Sequence, residues 1–112
     1  MRKYSAMDSL MALADPTRRH IVEMLGRGPR ASGEIAASFA ISAPAVSQHL
    51  KVLREARLVE VRVEAQRRIY TLNPLGLAEI DDWLARMKRF WSERLDDLER
   101  ELRKPEKKRR KK

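Results

Sequence analysis

Apolar residues recur along this chain with two periods, and each change of period marks an element. Over residues 5–14, Met7, Leu10, Met11 and Ala14 fall at i, i+3, i+4 and i+7, the spacing of a short amphipathic helix. Asp15-Pro16 ends that helix and starts another, since aspartate suits an N-cap and proline lacks the N–H that a first turn leaves unpaired. The second helix turns Ile21, Val22 and Leu25 inward, leaves Arg18 and Arg19 in solvent, and stops at Gly26-Arg27-Gly28-Pro29. Ser32 is placed to cap a third helix over residues 33–39, with Ile35, Ala36 and Phe39 on one face and a turn at Ala40-Ile41. A fourth helix over residues 42–56 sends Val46, Leu50 and Leu53 to a core, while Ser47, Gln48, Lys51 and Arg54 project away. Because Pro44 carries no N–H, a capping Ser42 hydroxyl must bond the amide of Ala45.

The period then drops to two. Val59, Val61 and Val63 alternate with Glu60, Arg62 and Glu64, and residues 67–72 return as a second strand. With Ala65-Gln66 as a two-residue turn, Val61 faces Tyr70, Val59 faces Leu72, and Arg62 and Arg67 share the outer face. Asn73-Pro74 breaks the strand, and a long helix follows to Leu102. Its apolar positions Leu77, Ile80, Leu84, Met87, Trp91, Leu95, Leu98 and Leu102 step by 3, 4, 3, 4, 4, 3 and 4, close to a coiled-coil seam, and Trp83 and Phe90 widen the stripe. So small a domain cannot cover that stripe, so a second subunit is expected to cover it in a homodimer. The expected fold is mainly α with a β-hairpin wing: a winged helix-turn-helix of four helices, two strands and a fifth helix. Its fourth helix has a shape suited to the major groove of double-stranded DNA. Residues 1–102 form the domain, with the dimerisation helix at about 75–102, and residues 103–112 are expected to be a disordered basic tail.

Charge sharpens this picture through its distribution. The net charge is +9, but residues 1–73 hold 12 Lys/Arg against 7 Asp/Glu, residues 74–102 hold 5 against 8, and residues 103–112 hold 8 against 1. Most of the basicity therefore lies in the tail, which either adds non-specific phosphate contacts, stays solvated, or binds RNA or acidic partners. The chain has no cysteine, which excludes disulfides and thiolate ligands. No apolar run is long enough for a membrane span and residues 1–8 lack an export-type apolar core, so a soluble cytoplasmic protein with no membrane partner is expected. Neither His20 nor His49 has a nucleophile partner and no glycine loop would cradle a nucleotide, so an enzyme is not expected, nor a cofactor.

The candidate DNA contacts follow from the solvent faces. Ser42, Ala43 and Pro44 are small enough to let the leading end of the fourth helix approach DNA. Ser47 can serve several bases, Gln48 can pair bidentately with adenine, and Lys51 and Arg54 can reach bases or phosphates. His49, at the edge of the apolar stripe, is as well suited to packing and a phosphate or backbone contact as to reading a base. Arg62, Gln66, Arg67 and Arg68 make a basic wing for the minor groove or the backbone. The plainer alternatives are a solvated helix face and a hairpin kept soluble by charge. Trp83, Phe90 and Trp91 suit core or dimer packing better than an apolar effector pocket, and an effector stays open.

Three strings carry a resemblance. Leu13-Ala14-Asp15-Pro16-Thr17-Arg18-Arg19, residues 45–56 (Ala45-Val46-Ser47-Gln48-His49-Leu50-Lys51-Val52-Leu53-Arg54-Glu55-Ala56) and Arg67-Arg68-Ile69-Tyr70-Thr71-Leu72 closely resemble the ArsR/SmtB family of bacterial repressors, over roughly residues 6–100. The resemblance implies a homodimer joined through the first helix (Met7, Leu10, Met11) and the last, the fourth helix in the major groove, and repression at a palindromic operator. Members that sense arsenic, cadmium or lead use thiolates near the third helix, where this chain has Gly33-Glu34-Ile35-Ala36-Ala37, and zinc or nickel sensors place His on the last helix, where this chain has none. A metal-independent member is therefore expected, with no metal site. The family also favours glycine where this chain has Ala40, Arg57 and Ala65, so left-handed backbone at those turns would be strained. The rival readings are a DNA-coating, nucleoid-type protein and a protein-interaction module that uses the long helix.

Overall fold

A computed structural model describes residues 6–104. The elements run α1 (Ala6–Ala12), α2 (Pro16–Leu25), β1 (Arg30–Ala31), α3 (Ser32–Ala37), α4 (Ala43–Glu55), β2 (Val59–Glu64), β3 (Arg67–Leu72) and α5 (Pro74–Leu102). The chain divides into two units, one ending at Asp81 and one starting at Asp82. The expected tail lies outside the described residues apart from Arg103 and Lys104.

The core of the first unit is the inner face of each predicted element: Ile21, Ile35, Val46, Leu53, Leu58 and Val59 are fully enclosed. Each such side chain contributes about 1.5–3 kcal/mol by leaving water. Leu77 and Ile80, at the start of α5, pack against this core as partly buried residues. The hairpin has the expected register, Val61 opposite Tyr70 and Val59 opposite Leu72.

Sequence patterning did not show β1. Two residues are too few to display a period, yet they pair with β3 (Arg30 with Tyr70, Ala31 with Ile69) and complete a three-stranded sheet of order β1-β3-β2. That pairing also moves the start of α3. Ala31, held extended, is the N-cap, so Ser32 becomes the first helical residue instead of the cap, and Glu34 reaches back to accept the Ala31 N–H at 2.7 Å. At the other end the Ser38 hydroxyl donates to the Glu34 carbonyl at 3.0 Å, and the helix stops at Ala37, short of Phe39.

The corner between α1 and α2 corrects the expectation that Arg18 and Arg19 are merely solvated. Arg18 Nε donates to the Ala12 carbonyl at 2.5 Å, and Arg19 donates to the carbonyls of Leu13 and Ala14 at 3.0 and 3.3 Å. The two guanidinium groups thus satisfy the carbonyls that α1 leaves open, and α1 ends at Ala12. Buried Ser9 donates to the Ala56 carbonyl at 3.3 Å, tying α1 to the end of α4.

Two of the three glycine-less turns are left-handed: Arg57 has φ 62° and Ala65 has φ 57°, whereas Ala40 avoids positive φ. The Arg57 turn is also where α5 begins. Gly76 N–H donates to the Arg57 carbonyl at 2.8 Å, and a Cβ on Gly76 would sit 2.4 Å from that oxygen, so glycine is required by close approach. Asn73 N–H donates to the Leu58 carbonyl at 2.8 Å, and its side chain accepts from Leu75 N–H at 3.0 Å.

Candidate nucleic-acid interface

The sequence of α4 sets which of its groups are free. Ser42 is the N-cap and accepts the Ala45 N–H at 3.2 Å, the one amide in reach once Pro44 occupies the first turn. Val46, Leu50 and Leu53 are buried below, while Ser42, Ala43, Pro44, Ser47, Gln48, Lys51 and Arg54 are exposed above. The side chains of Ser47, Gln48, Lys51 and Arg54 make no hydrogen bond or ion pair among the described residues. An unpaired amide, hydroxyl and two cations on one helix face form a surface able to bond base edges and phosphates.

His49 differs from its neighbours. It is half-buried, with Nδ1 at 3.2 Å from Arg18 Nη1 and 3.9 Å from the Asp15 carboxylate. The ring nitrogen thus sits between a guanidinium donor and a carboxylate. The Arg18 amide, bonded to Asp15 at 3.1 Å, holds the Asp15 carboxyl below its ordinary value against an opposing effect of burial, with the nearby His49 and Arg18 charges adding to the lowering. Asp15, Arg18 and His49 therefore brace α4 against the start of α2. Sequence reading missed this role of Arg18 because the contact spans 31 residues.

The wing divides its cations. Arg62 and Arg67 are exposed on the same face of the hairpin, but Arg62 is bonded to Glu64 at 2.6 Å. Arg68 lies on the opposite face beside Val63. Gln66 sits in the turn between the strands, next to left-handed Ala65. Arg67 and Arg68 make no ion pair among the described residues.

The residues expected at a dimer contact fall into two groups. Leu77 and Ile80 pack on the first unit's own core, and Leu10, Trp83 and Met87 are partly covered. Met7, Met11, Leu84, Phe90, Trp91, Leu95 and Leu98 are exposed. Phe90 meets Trp91 edge-on at 5.5 Å, and the Arg94 guanidinium lies 4.8 Å from the Phe90 ring centre. Among the described residues no three His, Asp or Glu side chains converge as metal ligands would, and no helix is long and apolar enough to cross a membrane.

An open recognition helix beside a hairpin with free arginines defines a DNA-binding protein of the winged helix-turn-helix class. Known proteins narrow the class. Residues 15–61 match the model of the family described as bacterial regulatory protein, arsR family. The chain is 51% identical over 96 residues to the HTH-type transcriptional regulator Rv2034 of Mycobacterium tuberculosis, covering 85% of this chain and 87% of that one. It is 37% identical to the transcriptional repressor SdpR of Bacillus subtilis over 65% of this chain and 81% of the other. Among solved structures it resembles the homodimeric winged helix-turn-helix domain of Mb0332 from Mycobacterium bovis, a possible ArsR-family regulator, with a TM-score of 0.58, 26% identity, and 81% and 82% of the two chains covered. The chain belongs to the ArsR family and is a DNA-binding transcriptional regulator.

Proposed function

We propose that this regulator acts in the bacterial cytoplasm as a homodimeric repressor that occupies a palindromic operator and does not respond to metal ions. The observation that carries the reading is the exposed face of α4, where the side chains of Ser47, Gln48, Lys51 and Arg54 have no hydrogen-bond or ion-pair partner among the described residues. Ser47 and Gln48 read bases, and Lys51 and Arg54 contact the backbone. A homodimer follows from the uncovered apolar side of α5, and two-fold symmetry of the protein calls for two-fold symmetry of the site. Metal independence follows from ligand chemistry: arsenic, mercury and cadmium want thiolates, and the chain has no cysteine; zinc and nickel favour imidazole, and α5 carries no histidine.

Selection from random duplexes tests this directly. The expected product is an inverted repeat with half-sites about 34–36 Å apart, one helical turn, whose affinity is unchanged by zinc or arsenite. Binding without enrichment of any sequence would instead favour a DNA-coating protein.

A further inference from the structure

The strand that patterning missed creates a place for a ligand. The antiparallel register that pairs Arg30 with Tyr70 and Ala31 with Ile69 carries Ser32, the first residue of α3, to the level of Arg68. Arg68 and Tyr70 alternate with Ile69 and so share one face of the sheet. Ser32 and Arg68 together line two adjoining clefts. The first, about 370 Å³, lies between α4 and β3 and is lined by Ser47, Lys51, Arg54, Tyr70, Leu50 and Glu55 besides these two. The second, about 470 Å³, runs from the start of α3 to the wing turn, where it reaches Gln66 and Arg67.

The charge of the first cleft is unbalanced, with Lys51, Arg54 and Arg68 against the single carboxylate of Glu55. None of the three cations makes an ion pair among the described residues. The Ser32 hydroxyl is also unused, because the cap of α3 is Ala31 and the Ser32 side chain makes no hydrogen bond among the described residues. The second cleft sets Arg67 and Arg68 against the carboxylate of Glu34, which is taken up by the Ala31 N–H; since the clefts meet at Ser32 and Arg68, the surface is a net cationic track from recognition helix to wing and not a closed cup. Its chemistry fits a phosphate on a continuous strand: a hydroxyl and a forked guanidinium side by side, flanked by two more cations.

We propose that Ser32 and Arg68 seat one phosphate of the DNA backbone between the recognition helix and the wing, a contact that holds the protein on the duplex without reading a base. This rests on the reading of the chain as an operator-binding regulator. The experiment uses the full chain and a duplex recovered by selection, with Arg68→Gln, Arg68→Lys and Ser32→Ala compared by affinity across a salt series and by melting temperature. Arg68→Gln should weaken binding about tenfold at about 0.15 M salt and lower the slope of log affinity against log salt by about 0.9 per protomer. Arg68→Lys should restore the slope. Ser32→Ala should weaken binding a few-fold without changing the slope, and all three should melt as the parent does and select the same sequence. A single methylphosphonate in each half-site that weakens the parent should weaken Arg68→Gln no further. A full salt slope in Arg68→Gln, a changed preferred sequence, or an undiminished effect of every neutralised phosphate would overturn the seat. Binding of inorganic phosphate by the DNA-free parent but not by Arg68→Gln, with duplex affinity the same in both, would assign the seat to a free anion and overturn it equally. If the parent selects no sequence at all, the operator reading fails first and takes the seat with it, an outcome distinct from the others.

Discussion

The exposed face of α4 and the exposed face of α5 beyond Asp82 are both helical and both solvent-facing, yet they leave opposite groups unsatisfied. On α4 the apolar side is buried and Ser47, Gln48, Lys51 and Arg54 stand free. On α5 and just past its end some charges pair along the chain: Arg86 with Asp82 at 3.8 Å, Arg103 with Glu99 at 2.8 Å, Lys104 with Glu101 at 3.3 Å, and Arg100 with Asp97. There the apolar side stays open, with Trp91, Leu95 and Leu98 each more than half exposed. Exposed ion pairs of this kind contribute only a few tenths of a kcal/mol each. Over residues 74–102, 5 Lys/Arg stand against 8 Asp/Glu, so this helix repels a polyanion more than it attracts one, whereas the apolar seam gains by meeting another apolar surface. Under the proposed function, the first face meets nucleic acid and the second meets another copy of the chain.

The strongest way to break that contrast is to charge the seam. Leu95→Glu with Leu98→Glu removes four leucines from a symmetric dimer contact, a loss of at least about 4 kcal/mol. The dissociation constant should rise about a thousandfold or more, read by sedimentation, with helicity retained and operator affinity falling along with the dimer. A variant that sediments as the parent does would show that the seam joins no second copy, and α5 would lose its half of the comparison. Gln48→Ala sharpens the other half with a smaller effect. Losing one bidentate base contact should cost about 1–3 kcal/mol and relax preference at one position of each half-site. A uniform loss over all duplexes would make Gln48 a backbone contact.

What could be read from the sequence follows the range of the interactions. The α4 cap on Ala45, the Asp15-Pro16 start of α2, the hairpin register and the buried stripe were legible because each depends on residues within a few positions of one another. The strand β1, the bracing of His49 by Arg18, and the Ser9 bond to Ala56 were not, since each partner lies tens of residues away and two residues of strand show no period. The apolar stripe of α5 was legible as a pattern, but the packing of its near end was not: Leu77 and Ile80 have the stripe's spacing and pack, partly buried, on the chain's own core. Periodicity says that a face is apolar and does not say what covers it. The candidate interface divides the same way. Its polar face on α4 could be listed from a helical wheel, while the difference between Arg62, neutralised by Glu64, and Arg68, free beside Ser32, needed the sheet.

The smallest prediction concerns the turns that bound both regions. Arg57 closes α4 and receives the first turn of α5, and Ala65 turns the wing; both hold left-handed angles without being glycine. A side chain at such angles costs about 1–2 kcal/mol, and glycine returns part of the gain through its greater freedom in the unfolded chain. Arg57→Gly and Ala65→Gly should therefore each stabilise by on the order of 0.5–1 kcal/mol, a rise of about 2–8 °C in melting temperature for a domain of this size. The comparison predicts how the two differ in function. Arg57 lies behind the recognition face, so its replacement should leave the salt slope unchanged, whereas Ala65 sits at the tip that carries Gln66 and Arg67, so a more flexible turn there should loosen DNA binding even as the fold gains stability. A fall in melting temperature for Ala65→Gly would mean that the wing turn is held by contacts of its methyl group and not strained by it, and the cost assigned to its left-handed backbone would have to be withdrawn.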